Sequence, residues 1–211
     1  MTEAVRAPSL LARLRDRAEE WIYRLNERDH WIFRLYDLGN ELWASLVFRG
    51  ARRRAARIDA PIQGRERAAR VRFLGPADLD AFATLLASLD VKYLPPHPRD
   101  RAAAARALAR RSYVPLGIFT DEGMVGYVLQ RFFFPRRIVS GIWMLASTHN
   151  AGLGRLAYRE QARFADAEGL PNYCTIPLDN APSIRIALWC GFEVVRTNRR
   201  FHVLLRKPPR A

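Results

Sequence analysis

Cysteine, lysine and long apolar runs are scarce in this sequence, and each shortage excludes a class of protein. The 211 residues contain two cysteines, Cys174 and Cys190, which are too few for a disulfide framework. The longest apolar runs fall far short of the roughly 18 residues that a membrane-spanning helix needs. The N-terminus has no cleavable signal pattern, so we expect a cytoplasmic, reducing location.

The charge of the chain is strongly one-sided. Lysine and arginine number 35 against 21 aspartate and glutamate residues, which gives a formal net charge of +14 at pH 7. Because Lys92 and Lys207 are the only lysines, nearly all of the basic residues are arginine. A solvated arginine-rich surface accounts for this charge. The functional alternatives are an anionic substrate, a nucleic acid or an anionic membrane surface.

Residues 1–66 form a region of their own, a basic amphipathic helical extension followed by a linker. Ser9 suits a helix N-cap, and apolar residues then recur at intervals of three and four. They predict two amphipathic helices, the first with Leu11, Leu14, Ala18, Trp21, Ile22 and Leu25, the second with Trp31, Ile32, Leu35, Leu42, Trp43 and Leu46. Residues 49–70 contain Pro61 and Gly64 and are interpreted as the linker.

Two uses of this helical region stay open. Its tryptophans and arginines suit a helix that lies in a membrane interface, at the inner face of the membrane. Acidic residues weaken that interpretation: Glu19, Glu20, Glu27, Asp29, Asp37 and Glu41. The favoured interpretation is an extension that packs on the rest of the chain, or on a second subunit of a homo-oligomer.

The most specific pattern lies in residues 144–192. A predicted strand at 137–145 is followed by the sequence HNAGLGR, and residues 152–167 then show helical periodicity. The unpaired N–H groups and the dipole of a helix start attract a phosphate, and glycines let it approach the backbone. A Walker loop is excluded because no Gly-Lys-Ser/Thr follows, and a dinucleotide-binding loop would need a third glycine.

This stretch resembles the GCN5-related N-acetyltransferase (GNAT) superfamily. The pyrophosphate loop of the family, Arg/Gln-x-x-Gly-x-Gly/Ala, is matched by His149, Gly152 and Gly154, with histidine in place of arginine or glutamine. The second family signature, Asn-x-x-Ala/Ser followed by a helix and Gly-Phe, is matched by Asn180, Ser183 and the pair 191–192. The resemblance covers residues 67–211, the expected acyltransferase domain, and leaves 1–66 outside.

The resemblance implies an α/β (α+β) fold, in which helices flank a mixed, mostly antiparallel central sheet and an amphipathic helical region precedes it. Residue patterns place the elements in the order that the family requires. Strands are expected at 71–74, 113–120, 124–130, 137–145, 173–177, 192–197 and 201–207. Helices are expected up to Leu89 and at 99–111, 152–167 and 183–190.

The chemistry that the resemblance implies is acyl transfer from an acyl-CoA thioester, expected to be acetyl-CoA, to an amine. The pantetheine arm would enter between two splayed strands, and the pyrophosphate would lie on the backbone of the glycine loop. No metal site is expected. The implied coenzyme-binding residues are Met144, Ala146, His149, Asn150, Ala151, Gly152, Leu153, Gly154, Arg155, Asn180 and Ser183. Arg155 could equally be solvated, and Asn180 and Ser183 could be only an N-cap and a first-turn residue.

Catalytic residues stay unassigned by the sequence. Many relatives place a tyrosine four residues before the Gly-Phe pair as the proton donor, and this position is Ala187 here. Because a thiol of pKa about 8.5 is already a fair leaving group, the loss need not abolish activity. Cys190 and Tyr173 are candidate substitutes, although packing explains each of them. No general base can be chosen among the scattered histidines: His97, His149 and His202.

The acceptor is expected to be the primary amine of a small molecule. Residues 90–98 and 132–137 lie where the family builds its acceptor pocket. The sequence FFFPRR at these positions supplies aromatic rings and, with the preceding Arg131, three arginines: Arg131, Arg136 and Arg137. This combination would suit an acceptor with a flat or apolar body and a negative charge.

Three other interpretations remain open. The chain could be a non-catalytic, CoA-binding assembly module, given Ala187. It could be an acyltransferase docked on membranes through residues 9–48. A nucleic-acid-associated or ribosome-associated acyltransferase is less favoured.

Overall fold

The computed structural model describes residues 31–90, 92 and 99–209. The chain divides into two compact units, Met1–Leu38 and Gly39–Ala211. The first predicted amphipathic helix, at residues 11–25, lies outside the described residues, as does His97. The second is confirmed as a helix at Trp31–Val47.

Six α-helices and eight β-strands make up the described part of the chain. The helices are α1 (Trp31–Val47), α2 (Arg49–Ala55), α3 (Leu79–Ser88), α4 (Arg101–Ala109), α5 (Leu153–Ala167) and α6 (Ala181–Trp189). The strands are β1 (Asp59–Gln63), β2 (Ala68–Phe73), β3 (Tyr113–Thr120), β4 (Gly123–Phe133), β5 (Arg137–Met144), β6 (Asn172–Pro177), β7 (Glu193–Thr197) and β8 (Phe201–Arg206). None of these described helices has the length and apolarity needed to cross a membrane.

The strands form one sheet in the order β1-β2-β3-β4-β5-β6-β8-β7. Every neighbouring pair is antiparallel except β5 and β6, which run parallel. The prediction of a mixed, mostly antiparallel sheet with flanking helices is therefore confirmed. The elements expected after residue 70 are also found, with ends displaced by a few residues at most.

Hydrophobic side chains cover both faces of the sheet because successive residues of a strand point to opposite sides. On β4, Val128 packs in a cluster with α5, whereas its neighbour Tyr127 packs in a second cluster with α3 and α4. Phe82 of α3 meets the Tyr127 ring edge-on, with ring centroids 5.1 Å apart. The sheet is thus the middle layer between helices.

The end of α1 packs on the hairpin between β4 and β5 through Asn40 and Trp43, whereas two leucines of the predicted stripe stay exposed. Leu42 and Leu46 are 61% and 81% exposed, whereas Asn40 is buried. The Nδ2 group of Asn40 donates to the Phe132 carbonyl at 2.9 Å, and its Oδ1 accepts from the Phe134 N–H at 3.2 Å. Two backbone partners therefore offset the cost of burying this polar residue.

The linker interpretation of residues 49–70 is wrong. This segment forms α2, β1 and the start of β2, and β1 pairs antiparallel with β2 at the edge of the sheet. Pro61 fits there because an edge strand does not need every backbone N–H for its ladder. Ala55 and Ile62 are buried, so the segment adds to the core. The sheet consequently begins before residue 67.

Candidate active site

Strands β5 and β6 are neighbours that separate after two residue pairs. They pair only at Ile138 with Asn172 and at Val139 with Tyr173, although both strands continue beyond these residues. We name the space between the unpaired parts, Ser140 to Met144 on one side and residues 174–177 on the other, the β5–β6 gap.

The backbone of β5 points hydrogen-bonding groups into this gap. The Ile138 N–H donates to the Pro171 carbonyl at 2.9 Å, and the Leu145 N–H donates to Val125 of β4 at 2.9 Å. Even-numbered residues of β5 therefore face β6 and odd-numbered residues face β4, as strand geometry requires. The N–H and C=O groups of Ile142 and Met144 consequently face the gap, where an extended ligand could pair with them.

A buried polar cluster closes one end of the gap. The Ser140 hydroxyl donates to Asn172 Oδ1 at 2.9 Å and lies 3.0 Å from the Tyr158 hydroxyl. Burial raises the pKa of Tyr158 well above its usual value, and it raises the pKa of the Cys174 thiol to about 12. These groups therefore stay neutral. Because the two strands pair at this end of the gap, a ligand would have to enter from the end near Met144.

At that open end, β5 leads through a 3₁₀ turn (Ala146–Thr148) into α5. Asn150 and Gly152 adopt left-handed backbone conformations, with φ of 68° and 79°. Gly152 is the N-cap, and within the described ranges no side chain caps α5 and no acidic residue lies in its first turn. The first N–H groups of α5 are therefore available to an anion, which the helix dipole also attracts.

The surroundings of Gly154 leave room for a small side chain at this helix start. A Cβ on Gly154 would lie 3.6 Å from Ile142 Cδ1 and Met144 Cγ and 3.9 Å from Ile186 Cδ1, all ordinary contacts. The packing of the protein therefore does not require glycine here. Alanine would favour the helix by roughly 1 kcal/mol, so the fold would tolerate alanine at this position. His149, which precedes this turn, is exposed.

Helix α6 begins beside the gap. The Asn180 Oδ1 accepts from the Ser183 N–H at 3.3 Å, so these residues are indeed an N-cap and a first-turn residue. The cap uses the oxygen of Asn180, and its Nδ2 group is a separate donor. Lys92 reaches Asp179 with an N–O distance of 3.1 Å, which places part of the segment 90–98 next to the start of α6.

The structure also locates the candidate proton donors. Ala187 is fully buried on α6, and Cys190 is buried with its thiol donating to the Arg155 carbonyl at 3.8 Å. Burial raises the pKa of Cys190 to about 11, so its thiol is a poor acid for a departing thiolate of pKa about 8.5. Tyr173 is half-buried and belongs to the last ladder pair before the gap. Because Cys174 faces Tyr158, the Tyr173 side chain lies on the opposite face of the sheet.

The histidines do not converge on one site in the described residues. His202 lies on β8, where its Nδ1 is 2.7 Å from the Thr197 hydroxyl. The Thr197 contact belongs to the β7–β8 hairpin, so it accounts for His202 structurally.

The prediction that residues 132–137 line the acceptor pocket is wrong for Phe132. This side chain is fully buried and stacks on Phe48, with ring centroids 4.3 Å apart. Phe134 contacts Trp43 at a centroid distance of 5.5 Å. The hairpin lies at the opposite end of β5 from Met144, roughly 23 Å away at the usual rise per strand residue. A run of three phenylalanines could not reveal which of them faces the core.

Two contacts of the site were not anticipated from the sequence. The Arg155 guanidinium lies 4.4 Å from the ring centroid of Trp189, which is 46% exposed. The Arg65 N–H donates to the Ala151 carbonyl at 2.9 Å, which joins the β1–β2 turn to the loop before α5. No local sequence signal pairs these residues, since each contact joins separate elements.

Comparison with known proteins identifies the family. A family model described as an acetyltransferase (GNAT) domain matches residues 70–193. No curated protein matches the chain. Many solved structures share the fold, and the three described next do so at identities too low to show more than that.

The GNAT domain of S. lividans PAT has a TM-score of 0.64 at 14% identity, covering 72% of this chain and 98% of that chain. PaiA N-acetyltransferase from Thermoplasma acidophilum, in complex with coenzyme A, has a TM-score of 0.54 at 13% identity, covering 66% and 98%. The ribosomal-protein-S18-alanine N-acetyltransferase from Escherichia coli has a TM-score of 0.51 at 14% identity, covering 65% and 90%. Because the family model spans more than half of the chain, this protein belongs to the GNAT family of acyl-CoA-dependent N-acyltransferases, which use acetyl-CoA.

Proposed function

We propose that the protein transfers an acetyl group from acetyl-CoA to the primary amine of a small acceptor, with anionic acceptors as the favoured class. One observation carries this proposal. The β5–β6 gap, with its inward-facing backbone groups, opens at the same end of β5 as the uncapped, glycine-containing start of α5.

The coenzyme would occupy both features at once. The pantetheine amides would pair with the backbone of Ile142 and Met144, and the pyrophosphate would lie on the N–H groups of residues 150–155. The Ala146 carbonyl accepts from the His149 N–H at 3.1 Å, so only the N–H of Ala146 would serve the ligand. Asn180 would use its Nδ2 group, and the Ser183 hydroxyl would lie next to it.

Proton transfer would not involve α6 in this protein. The neutral amine would attack the thioester carbonyl, the C–S bond would break, and the thiolate would leave with a proton from a donor while the proton lost by the amine passes to solvent. We assign the proton donor to Tyr173, because its side chain lies at the closed end of the gap, on the face opposite α5. The Arg137 guanidinium lies 6.0 Å from the centroid of the Tyr173 ring, and its charge supports an anionic acceptor.

The acceptor would approach from the face of the sheet that carries Trp143 and Tyr127. Their rings stack with centroids 4.9 Å apart, and Trp143 is half-buried. The contact of Lys92 with Asp179 supports a place for Lys92 at the border of this pocket. Arg137, which lies beside the Tyr173 ring at the closed end of the gap, is the candidate recognition group from the segment 132–137.

Isothermal titration calorimetry with acetyl-CoA, coenzyme A and a longer acyl-CoA tests the donor site. Wild-type protein should bind acetyl-CoA, and Gly154→Trp should lose that binding while remaining folded, because the indole would fill the first turn of α5. A panel of small amines, with and without a carboxylate or phosphate, then tests turnover. Equal binding by wild type and Gly154→Trp would overturn the placement of the coenzyme.

A second candidate is a non-catalytic coenzyme A-binding module, which the buried Ala187 favours. It predicts coenzyme affinity without turnover on any amine of the panel. The division at residue 66, homo-oligomerisation through the N-terminal helices, membrane contact and nucleic-acid binding all stay predictions. Co-sedimentation with anionic vesicles and the salt dependence of binding would test the last two.

A further inference from the structure

The turn between β1 and β2, residues 64–67, contacts the loop that precedes α5. We name it the β1–β2 turn. It is closed by a hydrogen bond from the Gly64 N–H to the Arg67 carbonyl at 2.9 Å, and the Arg65 N–H donates to the Ala151 carbonyl at 2.9 Å. Arg67 also pairs with Glu122 at 2.7 Å, which ties the turn to the β3–β4 hairpin. The turn lies outside residues 70–193, so the family signatures do not include it.

The contact requires a glycine at position 64. A Cβ there would lie 2.5 Å from the Ala151 carbonyl oxygen, 2.9 Å from Leu153 Cδ2 and 3.0 Å from the Arg67 carbonyl oxygen. Two of these three atoms belong to the backbone and cannot rotate away. Leu153 is fully buried as the first residue of α5. The turn therefore packs closely on the start of α5 and restrains the loop.

This packing places Arg65 beside the start of α5. Its Cγ atom is 3.9 Å from the position that a Cβ on Gly152 would take, and its side chain is exposed. Among the described residues no carboxylate forms an ion pair with Arg65. An exposed arginine side chain with no ion pair to a described carboxylate thus extends from a position next to the start of α5.

We propose that Arg65 binds a phosphate group of acyl-CoA and that the β1–β2 turn positions the loop at 149–152 for it. The inference rests on the proposed coenzyme site. A guanidinium donates two parallel hydrogen bonds to a phosphate, which makes arginine suited to this role. The coenzyme carries two such groups, the pyrophosphate and the 3′-phosphate, and the test separates them.

The test compares wild type with Arg65→Ala by titration calorimetry with acetyl-CoA and with 3′-dephospho-acetyl-CoA, at one ionic strength. Arg57→Ala is the matched control, because it removes the same charge from an exposed arginine beyond the other end of β1. Arg65→Ala should weaken acetyl-CoA binding about tenfold, the effect of losing one charge-assisted contact. Arg65→Lys, which keeps the charge, should recover part of that loss.

The outcomes show which phosphate group Arg65 contacts, and they test the role of Arg65 separately from the coenzyme site. A loss confined to acetyl-CoA assigns the contact to the 3′-phosphate, and an equal loss for both ligands assigns it to the pyrophosphate. Acetyl-CoA affinity that is the same in Arg65→Ala and Arg57→Ala overturns the role of Arg65 and leaves the coenzyme site standing. Wild-type protein that binds neither ligand overturns the coenzyme site itself. Gly64→Ala should weaken both ligands, and unchanged affinity in a folded Gly64→Ala protein would overturn the positioning role of the turn.

Discussion

Replacing Gly154 by alanine should stabilise the protein and preserve the binding of acetyl-CoA, because the family loop carries glycine or alanine at this position. The new methyl group would meet Ile142, Met144 and Ile186 at 3.6–3.9 Å, which is ordinary van der Waals contact. Gly154 has no positive φ, so alanine meets no backbone strain. Alanine gains roughly 0.5–1 kcal/mol over glycine within a helix, which corresponds to a rise in Tm of about 1–4 °C for a chain of this size.

The same methyl group should leave the first N–H groups of α5 accessible to a phosphate, because its nearest contacts would be the side chains of Ile142, Met144 and Ile186. Thermal denaturation without ligand and calorimetric titration with acetyl-CoA measure the two effects separately. Gly152→Ala is the contrasting variant: its left-handed backbone, at φ 79°, should cost it about 1 kcal/mol of stability.

A clear loss of acetyl-CoA affinity in Gly154→Ala would contradict the match of this loop to the family pattern. A Gly154→Ala protein that is less stable than wild type would refute the conclusion that the chain itself tolerates a side chain there.

The remaining predictions concern catalysis, packing and pH. Tyr173→Phe should lower kcat about 10- to 100-fold at pH 7 with acetyl-CoA affinity unchanged; an unchanged kcat would remove Tyr173 as the proton donor. Phe132→Ala should cost about 3–5 kcal/mol of unfolding free energy in urea, because Phe132 is fully buried against Phe48; a loss below 1 kcal/mol would contradict its core position. The hydrogen-bonded Arg72 guanidinium lowers the pKa of Asp78 in the folded protein. The pair therefore stabilises the fold fully at a pH above about 4, the usual carboxyl pKa of the unfolded chain, and this stabilisation is lost as the pH falls through the lower pKa of the folded state. Asp78→Asn should therefore cost about 1 kcal/mol at pH 7 and progressively less towards pH 2, and a cost that does not change with pH would contradict the ion pair.

The predictable part of the fold consists of elements whose signal is local. The helical periodicity of residues 152–167 and the short apolar runs of β3, β4 and β5 predicted the helix and strands that the structure contains, because each pattern needs only neighbours along the chain. Edge strand β1 was not predicted, because its formation depends on pairing with another strand rather than on its own sequence pattern. Pro61 and Gly64 usually mark loops, and only pairing with β2 makes a strand of that segment.

The candidate site divides in the same way. The sequence by itself predicted the proposed phosphate loop around Gly152 and Gly154 from a strand, a glycine turn and a helix start that match the family pattern. Such a helix start presents its N–H groups through local backbone geometry alone. Only the tertiary structure decided that β5 and β6 stop pairing after Val139, since that depends on how two separate strands diverge. It also decided that Arg65 reaches Ala151, because this contact forms only when the β1–β2 hairpin takes its place at the sheet edge.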